Sequence, residues 1–156
     1  MKDKLKKLFP SRLIAYRLYK HPKIYTIEDA KNLMFTKDIF EIKNLFLRNQ
    51  NKSEYYLFSL PADSKLSLAQ IALITHNKKI SFASEKDLND KLAVTPGSVS
   101  ILNAVNDLDK SVNYYIDKAL FDHKNVAYHP NQNDETIVFD GSKIEDLLKD
   151  YPVKIY

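Results

Sequence analysis

The sequence predicts a mixed α/β or α+β domain that spans residues 1–156. Short helical patterns alternate with short extended patterns, and polar residues separate them at close intervals. The chain carries no internal repeat, low-complexity tract or Gly/Ser linker. It has 156 residues, 44% of them hydrophobic, and chains of roughly 100 to 200 residues usually form one domain with its own core. We therefore expect no second domain.

Helices are predicted first from capping boxes, in which a Ser or Thr oxygen accepts from an amide three residues ahead and an acid there reaches back. Three boxes begin at Thr26, Ser84 and Ser142. Apolar residues follow each box at helical spacing and should form one buried stripe. The stripes are Ala30, Leu33 and Met34; Leu88 and Leu92; and Ile144, Leu147 and Leu148. Two more helices are expected, over residues 67–74 and at the N-terminus, where Pro10 should break the helix.

Strands are predicted where β-branched and aromatic residues cluster. The predicted strands cover residues 13–19, 39–47, 55–60, 79–82, 112–116, 126–129 and 136–139. The second and third should pair as a hairpin, because only a short polar segment, residues 49–52, connects them. The helix over residues 67–74 should pack on that hairpin.

Composition excludes several kinds of chemistry. The chain has no cysteine, which removes disulfides, thiolate metal sites and cysteine nucleophiles together. Its four histidines are scattered, without a pair four residues apart or a nearby acid in a ligand arrangement. A serine-triad signature and a phosphate-binding glycine loop are also lacking. We therefore predict no metal and no cofactor.

The absence of cysteine and of a signal-peptide pattern predicts a cytoplasmic protein with no membrane partner. Charges interrupt the basic N-terminal segment, residues 1–7, and no apolar run of signal-peptide length follows it. No stretch is long and apolar enough to span a bilayer. The formal net charge of +4 suits a polyanionic partner, although an ordinary solvated surface explains it equally well.

Lys43 is the first candidate site residue, because it lies inside the predicted strand over residues 39–47. Period-2 alternation should place it on the same face as Glu41, Leu45 and Leu47. A lysine among apolar side chains is costly to bury unless it has a task or a partner. The pattern alone allows an ammonium that holds a polarised oxygen, but a lysine that snorkels from an edge strand is the commoner case.

Gly97 is the second candidate. The chain has only two glycines, and each should lie where the backbone requires a positive φ or a close approach that a Cβ would block. It lies within residues 95–100 (TPGSVS), where successive backbone amides could converge on an oxyanion. A type II Pro-Gly turn explains the spacing equally well. Gly141 is sufficiently explained by a turn before the last helix.

His129 is the third candidate. It follows a predicted strand, and Asn133 and Thr136 come shortly after it, so three hydrogen-bonding side chains could gather there. A lone histidine is more often structural.

Four motifs occur in order along most of the chain. They are residues 21–30 (HPKIYTIEDA); 43–48 (KNLFLR); 80–88 (ISFASEKDL) followed by 96–100 (PGSVS) and 106–107 (ND); and 129–130 (HP) with Asn133 and Thr136. Together they resemble the YbaK/ProRS-associated editing domain family, and in particular its freestanding alanyl-tRNA(Pro) deacylase branch. Four ordered motifs are far more specific than any one of them.

The resemblance favours a functional role over a structural one for the candidate residues. It implies that the essential lysine of the family is Lys43, the neighbouring asparagine Asn44, the glycine of the substrate loop Gly97 and the histidine His129. The implied substrate-binding residues are Asn44, Ser98, Asn106, Asn133 and Thr136. It also implies a mixed, partly barrel-like sheet flanked by short helices, with the substrate pocket between the lysine strand and the glycine loop. One position departs from the family, because Ile101 stands where its loop has a proline.

The implied activity is trans-editing, in which a hydrolase cleaves the ester of a mischarged tRNA(Pro), foremost alanyl-tRNA(Pro). An aminoacyl ester is already activated, so oriented water and a stabilised oxyanion suffice without a covalent nucleophile. Lys43 should hold the substrate carbonyl or terminal phosphate, amides near Gly97 should face the oxyanion, and His129 should order the pocket wall. A double sieve would admit alanine and exclude proline.

Three alternatives stay open at this level. The substrate could be cysteinyl-tRNA(Pro), which a sister branch hydrolyses. The chain could instead be a noncatalytic tRNA-binding or regulatory module of the same fold, which would bind tRNA with a steep salt dependence. It could also act only with prolyl-tRNA synthetase as a partner.

Overall fold

The strands form two sheets in the computed structural model, which describes residues 1–24, 28–29, 32–33 and 36–156. The smaller sheet has β7 (Glu135–Phe139) in its centre, antiparallel to β1 (Tyr16–Lys20) and β6 (Val126–Tyr128). The larger sheet runs from β4 (Ile80–Phe82) through β2 (Ile42–Asn49), β3 (Tyr55–Pro61) and β5 (Val112–Ile116) to β8 (Val153–Ile155). A parallel bridge between Phe40 and Val126 links the two sheets. The expected mixed, partly closed sheet is therefore present.

The larger sheet mixes both strand directions. β2 is antiparallel to β3 and to β4, which confirms the predicted hairpin, whereas β5 is parallel to β3 and to β8. β5 has the predicted bounds. β8 was not predicted from the sequence, because it has only three residues and directly follows Pro152. Such a short run carries too little alternation to be recognised.

Short helices flank the sheets. The α-helices are α1 (Asp3–Ser11), α2 (Leu68–Ile74), α3 (Glu85–Leu92) and α4 (Ile144–Leu147). Short 3-10 helices cover Thr36–Asp38, Ile101–Asn106, Lys118–Asp122 and Gly141–Lys143. None of the helices in the described ranges has the length and hydropathy needed to cross a bilayer.

The capping box at Ser84 is confirmed, since its side chain accepts from the Asp87 amide and Asp87 reaches back to the Ser84 amide. The box predicted at Ser142 is wrong. Asp140 caps this segment, and both the amide and the hydroxyl of Ser142 donate to its Oδ1. Asp competes well for such a position because its carboxylate only accepts hydrogen bonds. The box predicted at Thr26 lies outside the described residues.

Two predicted boundaries near the N-terminus are also wrong. α1 continues through Pro10 to Ser11, because a proline in the last turn removes one hydrogen bond without ending the helix at once. The strand predicted over residues 13–19 begins only at Tyr16, since Leu13 has a positive φ of 55° and is exposed. Leu13 thus belongs to the turn after α1.

The central strands of the larger sheet, β3 and β5, are buried on both faces, which explains why β3 is apolar at nearly every position. One face packs against the smaller sheet, α1 and α3, and Leu57, Tyr114 and Ile116 lie in this main core. The other face packs against α2, and Phe58, Leu60 and Ile71 lie in this second core. The predicted apolar residues of the last two helices, Leu88, Leu92, Ile144, Leu147 and Leu148, are all buried in the main core.

The two glycines are required for different reasons. Gly97 has a positive φ of 63°, and a Cβ there would make only ordinary van der Waals contacts, the nearest with Asn133 Nδ2 at 3.6 Å. At Gly141 a Cβ would lie 2.0 Å from the Leu120 carbonyl oxygen and 2.8 Å from that of His123. The predicted turn therefore does not fully explain Gly141, because the close approach of the backbone also excludes a side chain there.

Candidate active site

Two histidines meet at one edge of the smaller sheet. β1 and β6 are both antiparallel to β7, so both strands end where β7 begins. His21 follows β1 and His129 follows β6, and their ring centroids lie 6.4 Å apart. The order of the strands therefore brings together two side chains that are far apart in the sequence.

Hydrogen bonds fix the protons of both rings. His21 Nδ1 lies 2.8 Å from the Pro22 carbonyl oxygen, which can only accept, so Nδ1 carries a proton. His21 Nε2 lies 2.8 Å from the hydroxyl of Thr136. For the same reason His129 Nδ1 donates to the Glu135 carbonyl over 3.2 Å. The neutral ring of His129 thus keeps a lone pair on Nε2, and no described residue donates to it.

The surroundings of His129 favour its neutral form. Burial lowers the pKa of this ring below its usual value, and the neighbouring His21 lowers it further. A neutral imidazole with an available Nε2 can accept a hydrogen bond from a water or a ribose hydroxyl. Such a group can orient a nucleophile or take its proton.

Gly97 lies in a tight turn. The Ser98 amide donates to the Thr95 carbonyl over 3.1 Å, and a positive φ at the third residue is the requirement of a type II turn. Beside the turn lies Asn133, whose Nδ2 is 3.6 Å from the position of a Cβ on Gly97. The Ser98 amide therefore already has an acceptor within the turn. In the described part of the chain, the amides of Gly97 and Val99 donate to no acceptor.

A buried amide network holds the turn from behind. Asn103 is fully buried, and its Oδ1 accepts from the Ser100 amide over 2.7 Å. Its Nδ2 donates to the Ser98 carbonyl over 3.1 Å and to Asn131 Oδ1 over 2.7 Å. The Nδ2 of Asn131 is buried and has no partner among the described residues. An unpaired buried donor costs about 1–3 kcal/mol, so this one needs an explanation.

An apolar cavity of about 200 Å³ lies on one side of the turn. Its walls come from β2, the end of β4, the start of α3 and the turn itself. The lining residues are Asn44, Leu45, Phe46, Phe82, Ala83, Ser84, Glu85, Leu88, Pro96 and Val99. Asn44 Oδ1 is buried and lacks a hydrogen-bond partner in the described structure. This cavity can therefore receive a small, largely apolar group that also carries a hydrogen-bond donor.

A polar cavity of about 330 Å³ lies on the other side. Thr95 and Ser98 contribute to it from the turn, and further lining residues are Lys2, Lys23, Asn89, Ala93, Val94, Asn131, Gln132, Asn133 and Asp134. A third cavity, of about 290 Å³, lies between residues 38–40 and 123–125 and contains none of the predicted site residues. The turn thus separates two cavities of opposite character.

Comparison with known proteins decides the family. The family model described as aminoacyl-tRNA editing domain matches residues 21–147. The chain is 35% identical over 136 residues to the prolyl-tRNA editing protein ProX of Acetoanaerobium sticklandii, covering 87% of this chain and 83% of that protein. The chain belongs to the aminoacyl-tRNA editing domain family. It is therefore an aminoacyl-tRNA deacylase.

More distant similarities agree with this family. The prolyl-tRNA synthetase associated domain-containing protein 1 of Mus musculus is 29% identical over 139 residues, which cover 86% of this chain and 80% of that protein. A solved structure described provisionally as a trans-editing enzyme for prolyl tRNA synthetase has a TM-score of 0.73 at 13% identity, and covers 98% of this chain and 92% of its own. The hypothetical protein APE2540 has a TM-score of 0.78 at 16% identity, with 97% of each chain covered. Both structures show that the fold is shared.

The structure brings most of the predicted site residues of this editing domain to the turn or to the sheet edge beside it. Gly97 and Ser98 form the turn, Asn133 lies against Gly97, and Asn44 lines the apolar cavity. His129 and Thr136 lie at the edge of the smaller sheet, where both are linked to His21. The backbone amide of Ser98 donates within the turn to the Thr95 carbonyl, and the binding role expected of Ser98 stays a prediction.

Lys43 and Asn106 lie differently from the expectation. Lys43 is on the predicted face of β2, which is the face opposite Asn44, and its ammonium donates to the Ser64 carbonyl over 2.7 Å. Asn106 donates to the Leu92 carbonyl over 2.8 Å and so closes the end of α3. Neither residue lines the apolar or the polar cavity.

Three residues at this site were not predicted as site residues from the sequence: His21, Asn103 and Asn131. A signal for His21 was present, since the dipeptide His-Pro occurs twice, at residues 21–22 and 129–130, each time directly after a strand. Asn103 and Asn131 carried no comparable signal, because their pairing depends on a contact between distant segments. Across the described residues, no three His, Asp or Glu side chains gather as a metal-binding set.

Proposed function

We propose that this protein is a trans-editing hydrolase for mischarged tRNA(Pro) and that alanyl-tRNA(Pro) is its preferred substrate. The observation that carries the proposal is the apolar cavity beside the Gly97 turn, with the unpartnered Asn44 Oδ1 in its wall. The choice of tRNA(Pro) is supported by the similarity to a prolyl-tRNA editing protein over most of both chains.

In this proposal the cavity receives the alanyl group. Its methyl group contacts the apolar walls, and its α-ammonium donates to Asn44 Oδ1. Proline is excluded by the bulk of its ring, as in the second step of a double sieve. Ile101 does not alter the lining, because it is fully buried in the main core and begins a 3-10 helix. A proline is accommodated at the first position of a helix, so both residues suit this place.

Hydrolysis in this proposal needs no covalent nucleophile. The amides of Gly97 and Val99 stabilise the oxyanion, since neither donates elsewhere in the described structure. Neutral His129 orients the attacking water or a ribose hydroxyl through Nε2. To hold the substrate carbonyl or terminal phosphate, the Lys43 ammonium must leave the Ser64 carbonyl and reach around β2 to the face that carries Asn44.

The test is deacylation of alanyl-, cysteinyl- and prolyl-tRNA(Pro) by the purified protein, with and without a metal chelator. We expect rapid hydrolysis of alanyl-tRNA(Pro), slower hydrolysis of cysteinyl-tRNA(Pro) and none of prolyl-tRNA(Pro). A preference for cysteinyl-tRNA(Pro) would overturn the choice of alanine. Hydrolysis of prolyl-tRNA(Pro) at the rate of the alanine ester would overturn the sieve. The assay is then repeated with added prolyl-tRNA synthetase. If the synthetase is a partner, the rate of deacylation should rise.

The variant Lys43→Ala separates a role of this lysine in substrate binding from a structural role through its hydrogen bond to the Ser64 carbonyl. If Lys43 acts on the substrate, Lys43→Ala abolishes hydrolysis while the unfolding midpoint changes little. If the lysine only ties β2 to the Ser64 loop, the same change lowers the midpoint and spares the turnover of the folded protein. Lys143→Ala is the matched control, because Lys143 is exposed and lines none of the three cavities.

A further inference from the structure

The polar cavity contains a hydrogen-bond donor whose direction the backbone fixes. Asn103 must place Oδ1 toward the Ser100 amide and Nδ2 toward the Ser98 carbonyl, because an amide N–H only donates and a carbonyl only accepts. The Nδ2 of Asn103 also donates to Asn131, so Asn131 must present its Oδ1 there. Its own Nδ2 is therefore the atom left without a partner in the described structure.

This donor is positioned for an acceptor that the protein itself does not supply. Asn131 is only 4% exposed and lines the polar cavity. A buried amide is rarely left unpaired unless a ligand or water meets it. Because the network from Ser100 through Asn103 determines its orientation, Asn131 cannot satisfy Nδ2 by turning over.

The charges around the cavity favour an anion. Lys2 and Lys23 line it, and neither forms an ion pair within the described part of the chain. One acid, Asp134, also lines it, and its Oδ1 already accepts from Gln132 over 3.0 Å. Two ammonium groups outweigh one carboxylate, and flexible lysines suit a phosphate, which accepts hydrogen bonds from several directions.

The turn connects this cavity to the proposed ester site. Pro96 and Val99 line the apolar cavity, whereas Thr95 and Ser98 line the polar one. An RNA 3′ end whose aminoacyl group enters the first cavity would therefore bring its nearest phosphates past the second. We propose that the polar cavity is a phosphate-binding subsite, formed by Asn131, Lys2 and Lys23, that holds the backbone of the tRNA acceptor end. This inference rests on the proposed function only for the source of the phosphate.

Steady-state kinetics on two substrates test the subsite. Alanyl-tRNA(Pro) carries the phosphates, whereas 3′-O-alanyl-adenosine offers the same ester without any. For the double variant Lys2→Ala/Lys23→Ala we expect the KM for alanyl-tRNA(Pro) to rise about tenfold at unchanged kcat, and the slope of log affinity against log salt to fall by about 1. Hydrolysis of alanyl-adenosine should not change. An unchanged KM for tRNA would overturn the assignment to RNA.

Asn131→Asp is the sharper variant. An aspartate still accepts from Asn103 but replaces the free donor with an oxygen, so it should raise the KM for alanyl-tRNA(Pro) without affecting alanyl-adenosine. The matched control for Lys2→Ala/Lys23→Ala is Lys118→Ala/Lys143→Ala, which removes two exposed lysines from 3-10 helices that line none of the cavities. A KM increase of the same size in this control would overturn the proposal, since any loss of positive charge would then suffice.

Titration with inorganic phosphate separates this inference from the proposed function. NMR signals of the Asn131 side-chain amide in the wild-type protein should shift with phosphate and not with chloride at equal ionic strength. This outcome supports a phosphate subsite even if no aminoacyl-tRNA is hydrolysed. Shifts combined with an unchanged KM of the lysine variant would identify a free phosphate as the ligand and overturn RNA. No shift, together with no effect on KM, would overturn the subsite.

Discussion

The two cavities beside the Gly97 turn differ in the polar atom that each leaves unpartnered. On the apolar side it is an acceptor, Asn44 Oδ1, in a cavity whose lining is mostly apolar. On the polar side it is a donor, Asn131 Nδ2, near two lysines. An acceptor suits an ammonium group and a donor suits a phosphate, so the pair matches the two ends of an aminoacyl nucleotide. Neighbouring residues of one turn can therefore serve opposite chemistries.

The largest expected effect comes from Asn103→Ala, which should disrupt the polar side. It leaves the Ser100 amide, the Ser98 carbonyl and Asn131 Oδ1 without their partner, so the free energy of unfolding should fall by about 3 kcal/mol or more. Urea unfolding measures this change. Asn106→Ala is the matched control, because it removes a single hydrogen bond, to the Leu92 carbonyl, and should cost only about 1 kcal/mol. Equal losses would mean that the network has no special importance.

Gly97→Ala should affect both sides, because it strains the turn that they share. A side chain at positive φ costs about 1–2 kcal/mol of stability. The displaced turn should also lower kcat/KM for alanyl-tRNA(Pro) by about tenfold to a hundredfold. Ala93→Gly is the control of opposite sign, since Ala93 has a φ of 53° at the end of α3 and should be more stable as glycine. Thermal unfolding of both variants checks the two signs.

Ser84→Ala tests the apolar side and should lower the free energy of unfolding by about 1 kcal/mol. Ser84 caps α3 and lines the apolar cavity, so its loss should also reduce hydrolysis of alanyl-tRNA(Pro). Ser67 forms the same capping box at α2 and lines none of the three cavities. Ser67→Ala should therefore cost similar stability and leave kcat/KM unchanged. A similar loss of activity in both variants would contradict the placement of the substrate.

The smallest effect expected is a pH dependence from His129. Its pKa is lowered in the folded protein, so between that value and the usual value the unfolded chain binds more protons. Unfolding free energy should therefore fall as the pH drops through the usual histidine range. In His129→Gln this part of the acid sensitivity should disappear. Parallel pH profiles of the two proteins, measured by urea unfolding, would show that burial of His129 does not affect stability.

Features that depend on neighbouring residues could be predicted from the sequence. The capping box at Ser84 and the strand at Val112–Ile116 depend on local spacing, and both are present as predicted. The alternation in β2 also placed Lys43 and Asn44 on opposite faces. It could not show that the turn lies on the side of Asn44, because that depends on which core each face packs against.

Features that depend on the order of strands could not be predicted. His21 meets His129 only because β7 lies between β1 and β6, and no pattern near either histidine specifies that order. The hydrogen bond between Asn103 and Asn131 joins two loops in the same way. The resemblance identified the residues of one motif at a time, whereas the two cavities arise from how the motifs pack together.

The division of the substrate between the two cavities is tested most directly by comparing Asn44→Ala with Lys2→Ala/Lys23→Ala on alanyl-tRNA(Pro) and alanyl-adenosine. We predict that Asn44→Ala lowers kcat/KM for both substrates by the same factor, because both carry the alanyl group. The lysine variant should lower it for the tRNA alone. If Asn44→Ala affects only the tRNA, or the lysine variant affects both substrates equally, the turn does not divide the substrate in this way.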